Sequence, residues 1–405
     1  MIEPEAAPLD RAQRREKSIR YVAALDGLRA LAALGVMLIH IVSHAGGSIT
    51  TYVVVGSVAG PFFVLFFAIS GFVLYRGWAR KHLALGDRTA GRAPRAAAAG
   101  GADGRTVKYL LRRLLRIYPL YWVVATAALL VTNNATPHTP LDILQVYLLL
   151  PFPNPDALVN FGLGIVVWTL VIDVLFYLYV AIHGPVMTSL IKRLRHRHTP
   201  FSIETTVLLG MSAVILVCAL FVPAPLSVLV CLPLGMWFAV IEAQQERLGR
   251  RLSGIDTMVK AWPVWIVMYM IVSPTTIRIA TQSENYGALL ETKPGIHMLL
   301  VFGGFLLLIN VVFGPRHWPF QRFLVSPFMR TAGLLTFGTY LWHPVVLIVL
   351  RQQGIDDMFL AGVVTIVASV TLASITYFLL EKPLADLRLK MRKPDSPVPT
   401  PRPAP

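Results

Sequence analysis

Apolar side chains along the chain gather into blocks of roughly twenty, parted by short polar or Pro/Gly-rich stretches. A block of that length crosses, as a helix, a bilayer core about 30 Å thick. Backbone in lipid must satisfy its own hydrogen bonds, so the blocks predict helices, and the ten-residue alternation of a membrane barrel is absent. Spans are expected near 22–43, 57–75, 114–131, 161–184, 204–222, 226–243, 261–277, 295–313, 332–350 and 358–380. The pattern therefore predicts an all-α polytopic bundle of ten transmembrane helices. A charged cytoplasmic head (1–21) precedes a membrane domain (22–386), and a Pro-rich, disordered cytoplasmic tail (387–405) comes after it. Within the membrane domain, the Ala/Gly/Arg-rich stretch at about 81–106 reads as a flexible cytoplasmic loop. The outer connection 132–160 holds Pro137, Pro140, Pro151, Pro153 and Pro155, yet Ile143 to Leu150 is apolar. A short interfacial or re-entrant helix is expected there, suited to a lid or an acceptor platform.

Charge tests this list. The 405 residues are 55% hydrophobic and 14% charged, too little charge to cover a soluble domain. A net charge of +16 would suggest nucleic acid in a soluble protein, but its placement gives another account. With the N-terminus inside, the segments 1–21, 76–113, 185–203, 244–260, 314–331 and 381 onward are cytoplasmic. They hold 32 of the 37 Lys and Arg residues, as the positive-inside rule requires. Both termini are thus expected in the cytoplasm of a multi-pass cell-membrane protein, with the bilayer and no nucleic acid as partner. The first apolar run is too long for a cleaved signal and reads as a retained span. Cys218 and Cys231 flank the Val222–Pro225 turn; a disulfide is conceivable, but free, packed thiols suit the apolar setting. No metal-ligand spacing occurs, and no metal is expected.

The candidate chemistry lies in polar residues inside the spans. Arg29 and His40 are eleven residues apart on the first span, about 20° from three whole turns, so they share a face about 16 Å apart along the axis. Arg29 reads as an anchor near the inner headgroups or a snorkelling cation, and His40 as a deep titratable base or a packing histidine. Arg113 and Arg116 share a face of the third span, with Arg112 adjacent; Arg116 is drawn into the apolar run, where phosphates of a nucleotide cofactor or anionic lipid would compensate it. Asp173, near the middle of the fourth span, needs a partner: it either supports His40 or clasps two helices. Ser70-Gly71 admits close approach of a ligand or a helix. His343 precedes Pro344, which frees a carbonyl one turn back, and either bonds locally or lines an acceptor path. Glu381-Lys382-Pro383 reads as a cap or ion pair at the inner face.

Six blocks carry a resemblance: YVAALDGLRALAALGVMLIH, FFVLFFAISGF, RRLLRIYPLYW, WTLVIDVLFYL, TYLWHPVV and YFLLEKPL. They stand in the order of similar blocks in the acyltransferase-3 family, and the likeness covers most of the chain. Those multi-pass membrane enzymes O-acylate extracytoplasmic sugars, lipopolysaccharide, peptidoglycan, glycolipids or macrolides, commonly from acetyl-CoA. The resemblance implies that His40 is the essential histidine, that Arg29 is the first-span arginine, and that Arg113 and Arg116 are the pair engaging CoA. Ser70 and Gly71 match its Ser-Gly-Phe block beside the cofactor, and Trp168 its Trp-x-Leu block; Trp168, Tyr340 and His343 are expected on the acceptor side. Asp173 departs from the family pattern, where Glu is usual, and withdraws the carboxylate by one methylene. No esterase-like domain is appended, so direct acylation of the acceptor is expected.

The function expected is transfer of an acyl group, acetyl foremost, from cytoplasmic acyl-CoA to a hydroxyl of a cell-envelope glycan or glycolipid. His40 would be the general base, with Asp173 supporting it. One alternative is a proton-coupled transporter or lipid exporter using His40 and Asp173 as a relay, although no inverted repeat is visible. Another is acylation of a diffusible molecule such as a macrolide.

Overall fold

The computed structural model describes residues 11–46, 49–86, 102–132, 139–150, 162–219, 225–250, 252–269, 294–315 and 317–390. Among these, all regular structure is helical. In chain order the elements are α1 (Arg11–His44), α2 (Ile49–Ala84), α3 (Ala102–Thr132), α4 (Pro140–Leu148), α5 (Gly164–Leu194) and α6 (Pro200–Ala219). After a 3₁₀ turn at Pro225–Val230 come α7 (Cys231–Leu248), α8 (Ser253–Lys260), α9 (Pro294–Phe313), α10 (Pro319–Leu324), α11 (Pro327–Gln352) and α12 (Met358–Thr376). A π turn at Tyr377–Glu381 leads into α13 (Lys382–Lys390). The Pro-rich tail from 391, most of the 81–106 loop and the Pro-rich stretch 151–161 lie outside the described residues.

Among the described residues, eight helices are long and apolar enough to cross a membrane: α1, α2, α3, α5, α6, α7, α11, and α12 with its continuation. They coincide with eight of the ten expected spans. Of the other two, α9 carries the apolar stretch Val301–Phe313, and the expected span 261–277 is helical at 262–269, where the described residues end. The short outer helix is present as α4, capped by Thr139 and Asp142. It folds back on α3, because Tyr118, Tyr121 and Trp122 donate hydrogen bonds to the carbonyls of Leu148, Val146 and Tyr147 at 2.9, 2.6 and 3.0 Å.

The core is built around α2, α7 and α11, while α6 and α12 are least enclosed and turn rows such as Val363, Val367, Phe378 and Leu379 outward, as lipid contact requires. Apolar burial drives little helix association in lipid, so close packing needs small residues. At the α2–α7 crossing, a Cβ on Gly71 would strike the carbonyl of Leu232, and one on Gly235 the carbonyl of Ala68. Each helix thus lays bare backbone against the other. The same pair is tied towards its C-terminal ends by two rungs: Arg76 on Glu242 (2.6 and 2.6 Å) and Arg80 on Glu246 (2.9 and 2.8 Å). Both rungs keep the offset of 166 residues, so α2 and α7 are parallel.

α1 and α11 are parallel as well. Near its start α11 presses Gly333 against the carbonyl of Asp26, and about ten residues further on its His343 meets His40. α9 sets Gly303 and Gly304 against Pro61, and its Phe313 against Phe238 at 6.0 Å, so it runs with α2 and α7. The helical stretch 262–269 runs the other way: Trp262 donates to the carbonyl of Leu306 at 2.7 Å, while Tyr269 packs on Gly303.

Candidate active site

The parallel packing of α1 and α11, with α2, α3 and α5 closing the other sides, leaves a cavity of about 150 Å³ in the bundle. Six of its twenty lining residues are charged. α1 supplies Asp26 and Arg29, α3 supplies Arg113 and Arg116, α5 supplies Asp173 and Tyr177, and Glu381 enters from the π turn. Ser70 of α2 and Thr169 of α5 add hydroxyls, and Phe66, Phe67 and Tyr340 add rings.

Each cation is held differently. Arg29 pairs with Asp26 one turn earlier, at 2.8 Å. Arg113 lies between two rings, 5.7 Å from Tyr109 and 5.9 Å from Tyr177, a cation–π setting that orients a guanidinium without neutralising it. Arg116, one turn on, keeps an exposed side chain, and the cavity opens beside it. Asp173 takes a hydrogen bond from Ser70 and feels the charges of Arg116, Arg29 and Arg113. The cavity therefore gathers three cations and three carboxylates around open space, with Asp26 and Arg29 already in contact as an ion pair. Guanidinium groups in such a site can exchange carboxylate partners for an arriving phosphate, with which they form bidentate bonds.

His40 lies elsewhere. Its Nδ1 is 2.8 Å from His343 Nε2, and the two rings stack at 5.2 Å and 15°. Neither histidine lines the cavity. Tyr340 connects the two places: it lines the cavity, its hydroxyl bonds Thr169 at 2.8 Å, and its ring is 5.8 Å from that of His343. The histidine pair thus sits one helical turn beyond the cavity's Tyr340 end, about 4.5 Å along α11.

The residues singled out in the sequence are accordingly divided. Arg29, Arg113, Arg116, Ser70, Asp173 and Tyr340 meet in one cavity. Asp173 goes to Ser70 and the arginines, while the partner of His40 is His343. Ser70 and Gly71, adjacent in sequence, part company: the serine faces the cavity and the glycine faces α7. Trp168 packs on Phe63 (5.5 Å) and Phe67 (6.1 Å), behind the cavity wall. His343 is fully buried, so it touches no acceptor in this conformation.

Glu381 is a wall residue that the sequence presents as a cap. Its signal is there, an acid closing the apolar run TYFLLE, but a regular helix does not aim it inward. The π turn at Tyr377–Glu381 widens one turn and re-aims the helix beyond it, a device frequent at functional sites.

A cavity lined by three cations and three carboxylates thus lies one turn from a histidine pair, inside a bundle of membrane-length helices. The acyltransferase-3 family, described as an acyltransferase domain, matches residues 22–378, nearly the whole chain, and the protein belongs to that family. It is thus a membrane acyltransferase. No curated protein and no solved structure matches it.

Proposed function

We propose that the protein is a cell-membrane O-acyltransferase that moves an acyl group, acetyl foremost, from cytoplasmic acyl-CoA to a hydroxyl of an extracytoplasmic glycan or glycolipid. The observation that carries this reading is that Arg29, Arg113 and Arg116 line one cavity while His40, on the same helix as Arg29, stands further along that helix with Nε2 free of any partner among the described residues. The reading takes the chain to cross the membrane ten times with both termini inside. Helix directions support this count: α2 and α7 are parallel, the 262–269 stretch runs against α9, and α11 runs with α1. Two further crossings between α7 and α11 keep that alternation.

Phosphates of the donor bind Arg113 and Arg116, with Arg29 held ready by Asp26. Asp173 serves this end of the site. On its Ser70 bond it is the counter-charge that keeps the arginines in place while the site is empty, rather than the support of His40. The pantetheine arm passes Tyr340, whose hydroxyl leaves Thr169 to admit it, and brings the thioester to His40. His40 Nε2 takes the proton of the acceptor hydroxyl as its oxygen attacks the thioester carbonyl. The C–S bond then breaks, and the CoA thiolate takes the proton back from Nε2. Ester and free CoA leave, and the histidine returns to its starting state.

His40→Ala, inserted and folded as judged by thermal melting in detergent, should lose acyl transfer by at least about 10³-fold. Turnover within ten-fold of the parent would remove His40 from the mechanism.

A further inference from the structure

We propose that His343 is the positioning residue of His40: it accepts the Nδ1–H of His40 and so fixes the tautomer that leaves Nε2 bare to act as base. The proposal rests on the reading of His40 as the base and adds a role for a histidine that no substrate reaches.

The geometry is specific. Two residues 303 apart in sequence come within 2.8 Å, nitrogen to nitrogen, with rings nearly parallel. One of the two nitrogens must donate and the other accept, and the surroundings of His343 decide which. His343 is fully enclosed. Its Nδ1 is buried with no partner in hydrogen-bond geometry, and the backbone of Thr339 and Tyr340, one turn back on its own helix, lies close to the ring; with Nε2 turned to His40 on α1, Nδ1 is the nitrogen left on that side. The Tyr340 carbonyl is the one that Pro344, lacking an N–H, cannot bond. A bare nitrogen lone pair facing two carbonyl oxygens is repelled, whereas an N–H is attracted, so the proton of neutral His343 belongs on Nδ1. Nε2 is then the acceptor and His40 Nδ1 the donor. A neutral imidazole carries one proton, so His40 Nε2 is left with its lone pair. His40 is only partly buried, and this is the nitrogen that a substrate can approach. When Nε2 takes the acceptor's proton, the Nδ1–H···Nε2 bond becomes charge-assisted and strengthens, which favours the transition state over the ground state.

A carboxylate usually plays this part in hydrolases. Here the mid-span acid Asp173 belongs to the arginine cavity, and an imidazole takes its place without bringing another charge into the membrane. The competing view is a polar clasp between α1 and α11, and the two views differ in what they require of position 343.

The test compares His343→Leu with His343→Gln, whose amide oxygen can reach the place of Nε2 and accept. Steady-state transfer by the full-length protein is measured against acetyl-CoA. The leucine variant should lose kcat by about 10²-fold with KM for the donor within about two-fold, and glutamine should restore kcat to within about ten-fold of the parent. Leucine retaining a parental kcat, or glutamine as inactive as leucine, overturns the proposal. Should either variant fail to fold, ¹⁵N-histidine NMR of the parent decides: His343 protonated at Nδ1 with Nε2 bare is expected, and a proton on His343 Nε2 overturns it. If His40→Ala keeps turnover, the functional reading itself falls; if it is inactive while His343→Leu is active, only the present inference does.

Discussion

Ser70 and His82 lie about three turns apart on α2 and look into two different polar interiors. Around His82, every polar atom of the central pair is engaged. Its Nδ1 meets the Glu204 carboxylate, and its Nε2 meets Thr188 Oγ1 at 2.9 Å and the Gly184 carbonyl at 3.1 Å. Tyr75 donates to the other Glu204 oxygen at 2.6 Å, and Tyr75, His82 and Glu204 are wholly enclosed. Around Ser70, by contrast, three cations and three carboxylates line open volume, with Asp26 and Arg29 in direct ionic contact. Both interiors combine carboxylates with tyrosine and threonine hydroxyls. Saturation without space fastens helices α2, α5 and α6 together; charge with space leaves work for a ligand. Buried charge by itself is therefore a poor guide to function in this bundle, and unsatisfied charge lining a cavity is a better one.

Arg116→Ala should have the largest effect, lowering kcat/KM for acetyl-CoA by about 10²–10³-fold at an unchanged melting temperature, since a charge-assisted pair to phosphate is lost and no packing is. Loss of stability without loss of CoA binding would turn this cavity into a structural cluster. Glu204→Leu should do the reverse. It strands buried His82 and Tyr75, destabilising the protein by about 3–5 kcal/mol in chemical unfolding while the folded fraction keeps its turnover per molecule. A stable, inactive Glu204→Leu protein would bring the saturated cluster into the chemistry.

Smaller effects sharpen the contrast along α2 itself. Gly71→Ala forces a methyl into the Leu232 carbonyl and should cost about 1–3 kcal/mol of stability. Ser70→Ala, its neighbour, leaves packing alone and removes the donor to Asp173, so it should lower transfer about ten-fold with the melting temperature held. Arg80→Ala, at the exposed rung with Glu246, should shift stability by no more than about 1 kcal/mol.

Much of this was legible in the chain. The eight clear spans follow from block length alone, and the cavity's cations from charges set inside or beside apolar runs. Arg29 and His40 share a helix, so periodicity fixes their relation. The partners across helices were not legible. Asp173 needed a partner, but periodicity on α5 says nothing of whether α1 or α2 and α3 stand opposite it. The alliance of His40 with His343 depends on the parallel register of α1 and α11, which the backbone approach of Gly333 to Asp26 sets. The serine and glycine of one block face opposite neighbours because adjacent helical positions are turned by about 100°. Glu381 escaped because a single π turn, which leaves no mark in the hydrophobic pattern, redirects it.

The most direct test of the account is a cryo-electron microscopy map of the full-length protein in lipid nanodiscs with a thioether analogue of acetyl-CoA. Phosphate density is expected within about 3 Å of the Arg113 and Arg116 guanidinium groups. The pantetheine arm should run past a displaced Tyr340, with the acyl carbon beside His40 Nε2. A nucleotide bound away from those arginines, or an arm that ends short of Tyr340 with His40 closed off from it, would contradict the account.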